Sequence, residues 1–402
     1  MAATSNSPST LPAGAPPEAI EVTVVIPCLN EEKTVGLCVA TAVRALRESG
    51  LAGEVIVADN GSRDASRTRA AEAGARIVPV ARRGYGSALM AGIAEARGRF
   101  VIMGDADASY DFGEIPRLVA RLREGCDLVQ GCRLPRGGGT IAPGAMPWSH
   151  RWIGNPALSL LARLFFRTHL SDIYCGLRGF TREFYLRMEQ RCTGMEFATE
   201  MIIKAALHRA RTTEVPITLH RDGREGTGSH LRTFHDGWRT LRLFLLYSPR
   251  WLHLFPSIAL LMVGTIAGVL AWANARIGPA TLGPHTMLIA VILVLLGYQG
   301  VMLALFARTF AWRENLAPAS PFLERFYRFF TLERAIGLSL LATLGGVVLI
   351  GRVFWQWRAT HYGDLPYATT LRSVVPGVLL IALAAQTFFG SFVISLASLE
   401  RK

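Results

Sequence analysis

An apolar run, Phe100-Val-Ile-Met-Gly, ends in two aspartates one residue apart, Asp105 and Asp107. A short β-run of this kind delivers both carboxylates to the lip of a sheet, where open α/β sheets bind their ligands. Two hard oxygen donors at that edge suit Mg²⁺ or Mn²⁺, ions that also take oxygens from a ligand's phosphates. By itself, an Asp-x-Asp after an apolar run is more often a solvated turn. Its weight comes from the segments around it.

The elements that must position the pair alternate from Glu21 onward. Strands are expected over 22–27, 54–59, 75–80, 99–105 and 127–131, and helices over 31–49, 64–74 and 84–97. This rhythm predicts an α/β domain, a mostly parallel sheet sandwiched by helices. Polar residues follow the strand ends: Asn30 and Glu31, Asp59 to Ser62, Asp105 and Asp107, and Arg133. Several loops thus converge on one sheet edge, as a nucleotide site requires. Gly84-Tyr-Gly86 and Gly92 resemble a dinucleotide fingerprint only loosely and follow the third strand, not the first, so they read as a loop capping a helix and a dehydrogenase is set aside.

The chain has 402 residues, 50% of them hydrophobic, with a net charge of +13. The apolar excess lies after Trp251, in stretches near 254–275, 286–307, 335–356 and 373–399. Each is long enough to cross the roughly 30 Å hydrocarbon layer as a helix, the third with Arg352 snorkelling from its end. Arg308, Arg313, Arg325, Arg328 and Arg334 crowd the connection between the second and third stretches, whereas Arg276 alone marks the first connection. The positive-inside bias therefore predicts a multi-pass protein of the cytoplasmic (inner) membrane, with the N-terminal domain and both termini cytoplasmic. Residues 1–19 read as a disordered tail, 20–232 as the cytoplasmic domain, 233–250 as an interfacial amphipathic helix and 251–402 as the membrane domain. Phe234, Trp238, Leu241 and Leu245 set the apolar face of that helix, and Phe322, Phe326 and Phe329 repeat the pattern. Six cysteines without a CxxC pair read as reduced structural thiols. With no nucleic-acid motif, the positive charge suits anionic headgroups and phosphorylated ligands.

In order and at compatible spacings, Val24-Val-Ile-Pro-Cys-Leu-Asn-Glu-Glu32, Ala58-Asp-Asn-Gly-Ser62, Asp105-Ala-Asp107 and Gly131-Cys-Arg133 resemble the family 2 glycosyltransferases. Within that family they resemble the polyprenyl-phosphate sugar transferases of the dolichol-phosphate mannose synthase type. The likeness continues through Ser171-Asp-Ile-Tyr-Cys-Gly-Leu-Arg178, Gly194-Met-Glu-Phe-Ala-Thr-Glu200, Glu214-Val-Pro-Ile217 and Gly228-Ser-His-Leu231. It implies a GT-A type sheet followed by an α-helical membrane domain with four spans. It further implies an inverting, metal-dependent transfer from a UDP- or GDP-sugar to a polyprenyl phosphate. By position, Pro27, Asn30 and Glu31 resemble the first nucleotide-contacting loop, Asp59 the acid near base and ribose, and Asp105 and Asp107 the diphosphate and metal site. Arg133 resembles the arginine of a Gly-Ser-Arg motif, with Cys132 in place of serine, and His230 stands where lysine is frequent.

The chemistry is sensible without the resemblance. A nucleotide diphosphate leaving group gathers negative charge, which a divalent cation offsets as a Lewis acid. A phosphate monoester acceptor is already anionic and needs cations to hold it beside the donor. Arg133, Arg151, Arg178 and Arg224 offer planar guanidinium forks, with Ser229 in the same late loop as Arg224. Asp172 reads as a base, an orienting group or a helix cap, and Glu200 shares the first two roles. Two other readings stay open: a processive polysaccharide synthase, whose usual Gln-x-x-Arg-Trp is not supplied by Asp236-Gly-Trp238-Arg239, and a non-catalytic protein that binds or transports a lipid carrier. A homo-oligomer is left open.

Overall fold

The computed structural model describes residues 19–224, 233–314, 316–318 and 321–398. The chain divides into two compact units, one holding most of the chain up to Gly237 and the other most of it from Trp238 onward. In the first, β1 (Val22–Cys28), α1 (Val35–Glu48), β2 (Gly53–Asp59), α2 (Ser66–Glu72), β3 (Arg76–Pro79), α3 (Tyr85–Ala94) and β4 (Phe100–Met103) follow one another. Then come α4 (Ile115–Arg123), β5 (Leu128–Cys132), β6 (Thr140–Ile141), α5 (Asn155–Phe166), β7 (Arg178–Thr181), α6 (Arg182–Met188), α7 (Glu196–Leu207), β8 (Thr212–Pro216) and β9 (Thr218–Leu219).

Seven strands form one sheet in the order β3-β2-β1-β4-β7-β5-β8. All neighbours are parallel except β7, which runs antiparallel to both β4 and β5. This is the GT-A type sheet that the resemblance implies; the reversed β7 was not among the expected strands. Alternation along β1 explains the layers. Val22, Val24 and Ile26 join Val35, Val39 and Leu46 of α1 and Leu118 of α4 in one core. On the other face α3 lies so close that a Cβ on Gly92 would sit 2.5 Å from Val25 Cγ1 and 3.2 Å from Ala58 Cβ. Each large aliphatic side chain buried this way contributes roughly 1.5–3 kcal/mol.

Register sets the height of the loops. Cys28 pairs with Asp59, and Val25 with Met103. Asp105, two residues beyond Met103, therefore reaches the level of Pro27, so the β1, β2 and β4 loops open at one edge of the sheet.

The second unit contains most of α8 (Thr233–Tyr247), α9 (Phe255–Trp272), the short hairpin β10 (Arg276–Ile277) and β11 (Ala280–Thr281), α10 (Pro284–Arg313), α11 (Pro321–Phe329), α12 (Leu332–Ala359) and α13 (Tyr367–Ser398). Four stretches, Arg250–Trp272, Pro284–Arg313, Leu332–Ala359 and Tyr367–Leu396, are long and apolar enough to cross a membrane, with mean hydropathy of 1.9 to 2.5 over their most apolar windows. Small residues let these helices approach: a Cβ on Gly297 would lie 2.7 Å from Ser257 O, and one on Gly346 2.6 Å from Gly377 O.

On α8 the stripe expected at the headgroup layer is not the face buried against protein. Thr240, Leu243 and Phe244 are buried, Leu241 and Leu245 half-buried, and Trp238 and Leu246 exposed; the side chain of Phe234 lies outside those described. Thr240, Leu243 and Phe244 also recur at helical spacing, and it is this neighbouring face that packs. On α11, Phe322 and Phe329 are exposed, while Leu323 is buried.

Candidate active site

The loops after β1, β2 and β4, the start of α3, and the segments at Met195 and at Asp222 and Arg224 enclose a cavity of about 320 Å³ lined by Pro27, Glu31, Asn60, Tyr85, Asp105, Asp107 and Arg224, among others. The β4 loop supplies the paired aspartates. Asp105 Oδ1 accepts from the Tyr85 hydroxyl at 2.9 Å. Its other oxygen lies against Gly176, where any Cβ would collide with it. Asp107 Oδ1 accepts from the Ser109 backbone N–H at 3.0 Å and hydroxyl at 2.6 Å, and its Oδ2 lies 3.8 Å from an Arg224 nitrogen. Ala108 adopts φ +61°, a left-handed conformation that costs an L-residue roughly 1–2 kcal/mol and lets the chain turn back after the two acids. Burial, then the neighbouring Asp107 carboxylate, push the Asp105 carboxyl up to about 6. Two acids crowded this way, with oxygens facing a cavity, are a donor set that a divalent cation relieves.

The β1 loop is ordered by the segment after β2. Asn30 (φ +58°) accepts from the Arg63 backbone N–H through its side-chain oxygen at 2.9 Å, and its own N–H donates to Ser62 Oγ at 3.0 Å. The Glu31 N–H donates to Ser66 Oγ at 2.7 Å. Glu31 Oε1 accepts from Arg224 Nε at 2.7 Å. Burial opposes the Arg224 charge, but Glu31, Asp107 and Asp222 hold its pKa above the ordinary guanidinium value. Arg224 thus ties the first loop to the aspartate pair.

The remaining expected residues are placed differently. Asp59 is buried at the end of β2, accepting from the Ser62 N–H at 3.1 Å with Arg67 3.7 Å away, and it does not line the cavity. Its neighbour Asn60 does, accepting from the Gly84 N–H at 2.7 Å and donating to the Arg82 carbonyl at 2.8 Å. Arg133 and Asp172 come together as a buried, two-pronged ion pair, with Nε to Oδ2 at 2.7 Å and Nη2 to Oδ1 at 2.8 Å. Burial opposes the charge on Asp172, yet Arg133 holds its carboxyl below the usual range. The Arg133 fork is therefore taken up, and Asp172 is neither a helix cap nor an exposed base. Arg178 is fully buried, donating to the Ala198 and Cys175 carbonyls at 2.7 Å each, so it does not present a free fork either. Arg151 lies over the Trp152 ring, 5.2 Å from its centroid, and is not among the residues that line the cavity. Glu200 is buried beside Lys204 at 3.0 Å and accepts from the Arg191 and Cys192 N–H groups. Ser229 and His230 lie outside the described residues.

Tyr85 is the residue that sequence reasoning passed over, although the glycines around it were the signal. Gly84, at φ +133°, and Gly86 have no room for a Cβ against the Thr193 and Cys192 backbone, and the Ser87 N–H donates to the Thr193 carbonyl at 3.0 Å. The glycines admit a close backbone crossing that presents Tyr85 to Asp105. Arg83 and Met195 also line the cavity.

Residues 23–187 match glycosyl transferase family 2, and residues 305–398 match the glycosyltransferase family 2 C-terminal transmembrane region. The chain is 35% identical over 374 residues to the low-salt glycan biosynthesis hexosyltransferase Agl6 of Haloferax volcanii, spanning 93% of this chain and 88% of that protein. The chain belongs to glycosyltransferase family 2. The undecaprenyl-phosphate 4-deoxy-4-formamido-L-arabinose transferase of Edwardsiella ictaluri is another relative of this family 2 enzyme, 31% identical over 301 residues, 71% of this chain and 86% of its own. Among solved structures, glucosyl-3-phosphoglycerate synthase from Mycobacterium tuberculosis, in complex with Mn²⁺, uridine diphosphate and glucosyl-3-phosphoglycerate, aligns with a TM-score of 0.43 and 23% identity over 56% of this chain and 77% of that one.

Proposed function

We propose that this family 2 glycosyltransferase moves a sugar from a nucleotide-sugar to a polyprenyl phosphate, with inversion and with a divalent cation, at the cytoplasmic face of the membrane. The observation that carries the reading is the cavity at the sheet edge, where Asp105 and Asp107 face the β1 loop in a chain that also holds four helices able to span a bilayer. The relative whose name specifies undecaprenyl phosphate supports a lipid acceptor.

Asp105 and Asp107 would hold Mg²⁺ or Mn²⁺, and two carboxylates leave coordination places for diphosphate oxygens. When bound, the cation supplies Lewis-acid stabilisation of the departing diphosphate. Pro27, Glu31 and Asn60, which line the cavity, would frame the nucleotide, and Asn30 and Asp59 order those loops from outside the lining. In the transfer, a phosphate oxygen of the acceptor forms the bond to the anomeric carbon. The bond from that carbon to the diphosphate breaks, and the nucleoside diphosphate leaves with the electron pair. A single displacement inverts the centre and needs no general base. Among the described cavity-lining residues Arg83 and Arg224 are the cations that would receive phosphate, Arg224 from its place between Glu31 and Asp107; Arg133 and Arg178, whose donors are taken up, would act behind the wall as positioning residues. Trp238 and Leu246 of α8 and Phe322 and Phe329 of α11 are suited to the headgroup layer.

The test supplies labelled nucleotide-sugars, UDP- and GDP-linked, to membranes with and without added polyprenyl phosphate, followed by organic extraction and mass identification. Label entering the organic phase only with the lipid is the expected result. Rapid donor consumption with all label left in water overturns the lipid acceptor.

A further inference from the structure

The segment between β6 and β7 turns its large apolar side chains outward. Trp148, Trp152, Ile153, Leu160 and Leu164 are each more than half exposed. They lie on and just before a π-helical turn, His150–Gly154, and along α5, which continues it. Ile153, Ala157, Leu160 and Leu164 recur at helical spacing, so they share one face, and all four are exposed. On the opposite face Ser159, Ala162 and Phe166 are buried. A surface helix ordinarily packs its large apolar residues inward and shows polar ones to water. Here serine and alanine pack inward while tryptophan, isoleucine and leucine face out. An apolar stripe of this extent marks a surface that meets something other than water.

Two further features identify what it meets. No Asp or Glu stands between Asp127 and Asp172, whereas Arg151, Arg163 and Arg167 fall in or beside the helix, so the stripe is bordered by cations alone. The last turn of α5, Leu164–Arg167, belongs to the second compact unit. There the Phe165 ring stacks on Trp251 with centroids 5.0 Å apart, and Phe166 meets Phe244 of α8 edge-on at 5.5 Å. Trp251 opens Arg250–Trp272, the first stretch able to cross a membrane, so α5 ends beside the start of a span. A tryptophan- and leucine-bearing face with basic borders, at the end of a span, fits the headgroup layer, where apolar side chains enter the acyl boundary and guanidinium groups stay among phosphates. We propose that α5 and the turn before it dock on the lipid surface, with Trp148, Trp152, Ile153, Leu160 and Leu164 inserted and Arg151 and Arg167 at phosphate level. This contact is additional to those of α8 and α11. It rests on reading the four helices as spans and not on the choice of donor, acceptor or metal.

Single nitroxide labels are placed on the full-length protein through Ile153→Cys or Leu160→Cys, in nanodiscs of phosphatidylcholine with a minor fraction of phosphatidylglycerol. The reference is Leu186→Cys, an exposed position on α6, which follows the end of β7 that pairs with the start of β4, at the sheet edge away from the cavity. The native cysteines are buried or half-buried, and label taken up by the parent protein is subtracted. Paramagnetic resonance then compares collisions with oxygen, which concentrates in lipid, and with a water-soluble nickel chelate. At Ile153 and Leu160 oxygen access should exceed nickel access, and nickel access should be several-fold below that at Leu186. Both labels replace side chains that the fold leaves exposed, so each variant should fold and either one decides the question. Nickel access equal to that at Leu186 puts the stripe in water and overturns the proposal. Exclusion of both reagents overturns it as well, in favour of a second copy when spin–spin broadening accompanies it and of cover by the chain itself when it does not.

Discussion

Two clusters of arginine and carboxylate lie on the loops of one sheet, the first beyond β1 and β4 and the second between the end of β5 and the segment before β7, and they are built to opposite ends. Around Asp105, Asp107 and Glu31 the acids outnumber the cation that touches them; Arg224 bridges Glu31 and Asp107, and the cavity beside them is open. At Arg133 and Asp172 the charges match one to one, with two parallel hydrogen bonds and a third from the Arg133 backbone N–H at 3.0 Å. The first cluster keeps unsatisfied charge facing a ligand space, and the second leaves none. Residue type alone does not separate a binding group from a structural one. What separates them is whether the protein itself completes the partner set.

The largest effect expected from this contrast falls on the closed cluster. Asp172→Asn should destabilise the fold by about 3–5 kcal/mol, because it leaves the buried Arg133 charge without its partner. Arg133→Met with Asp172→Leu should recover much of the loss. The pH dependence has a definite sign. A carboxyl held below its unfolded value of about 3.9 contributes fully above that pH and loses the contribution only as pH falls through its folded value. The melting difference between wild type and Asp172→Asn should therefore be constant from neutral pH down to about 5 and shrink only in stronger acid. Equal melting at neutral pH would show that the pair is not structural.

On the open cluster the expectation reverses. Asp105→Asn and Asp107→Asn should each lower transfer by about 100-fold or more, roughly 2.7 kcal/mol, while melting stays level or rises as carboxylate repulsion is removed. Stripping bound metal with EDTA should do the same to the wild type, with recovery on adding Mn²⁺. Full activity in excess EDTA after stripping would falsify the metal assignment.

The open cluster was legible in the sequence because its signal is local: strand, two acids, turn. The parallel strands β1 and β2 on one side of it were legible for the same reason, their β-branched runs being buried. The antiparallel β7 was not, since Arg178-Gly-Phe-Thr181 is short and begins with an arginine whose burial depends on carbonyls from Cys175 and Ala198. Arg133 and Asp172 were both noticed as functional residues. That they satisfy each other, across 39 positions of chain, is a tertiary fact that no local pattern records. The four apolar helices were readable within a few residues because bilayer thickness constrains their length and composition.

Below both clusters in expected size stands the backbone crossing that carries Tyr85. Gly86→Ala places a Cβ against the Cys192 carbonyl and 2.9 Å from Phe197 Cβ, neither of them able to swing away like a surface side chain. Overpacking of this kind costs about 1–3 kcal/mol. The variant should melt lower and also lose activity, since the displaced segment takes Tyr85 with it. Wild-type melting together with wild-type turnover would mean that the crossing tolerates the methyl group and that the glycine reading is wrong.

The smallest effect tests whether the open cluster has an internal support of its own. The Tyr85 hydroxyl is the donor that holds Asp105 Oδ1, at 2.9 Å, and the rest of the ring belongs to the cavity wall. Tyr85→Phe keeps the ring and removes that one hydrogen bond, so melting should change little. A hydrogen bond to a charged acceptor contributes about 1.5–3 kcal/mol, but water entering the open cavity can replace much of it. The expected loss is therefore about fivefold, near 1 kcal/mol, and it should appear as a higher Mn²⁺ requirement more than as a lower rate at saturating metal. That division separates orientation of Asp105 from direct contact with the sugar. A fall in rate at saturating Mn²⁺ with an unchanged metal requirement would move Tyr85 from the support of Asp105 to the binding of the donor.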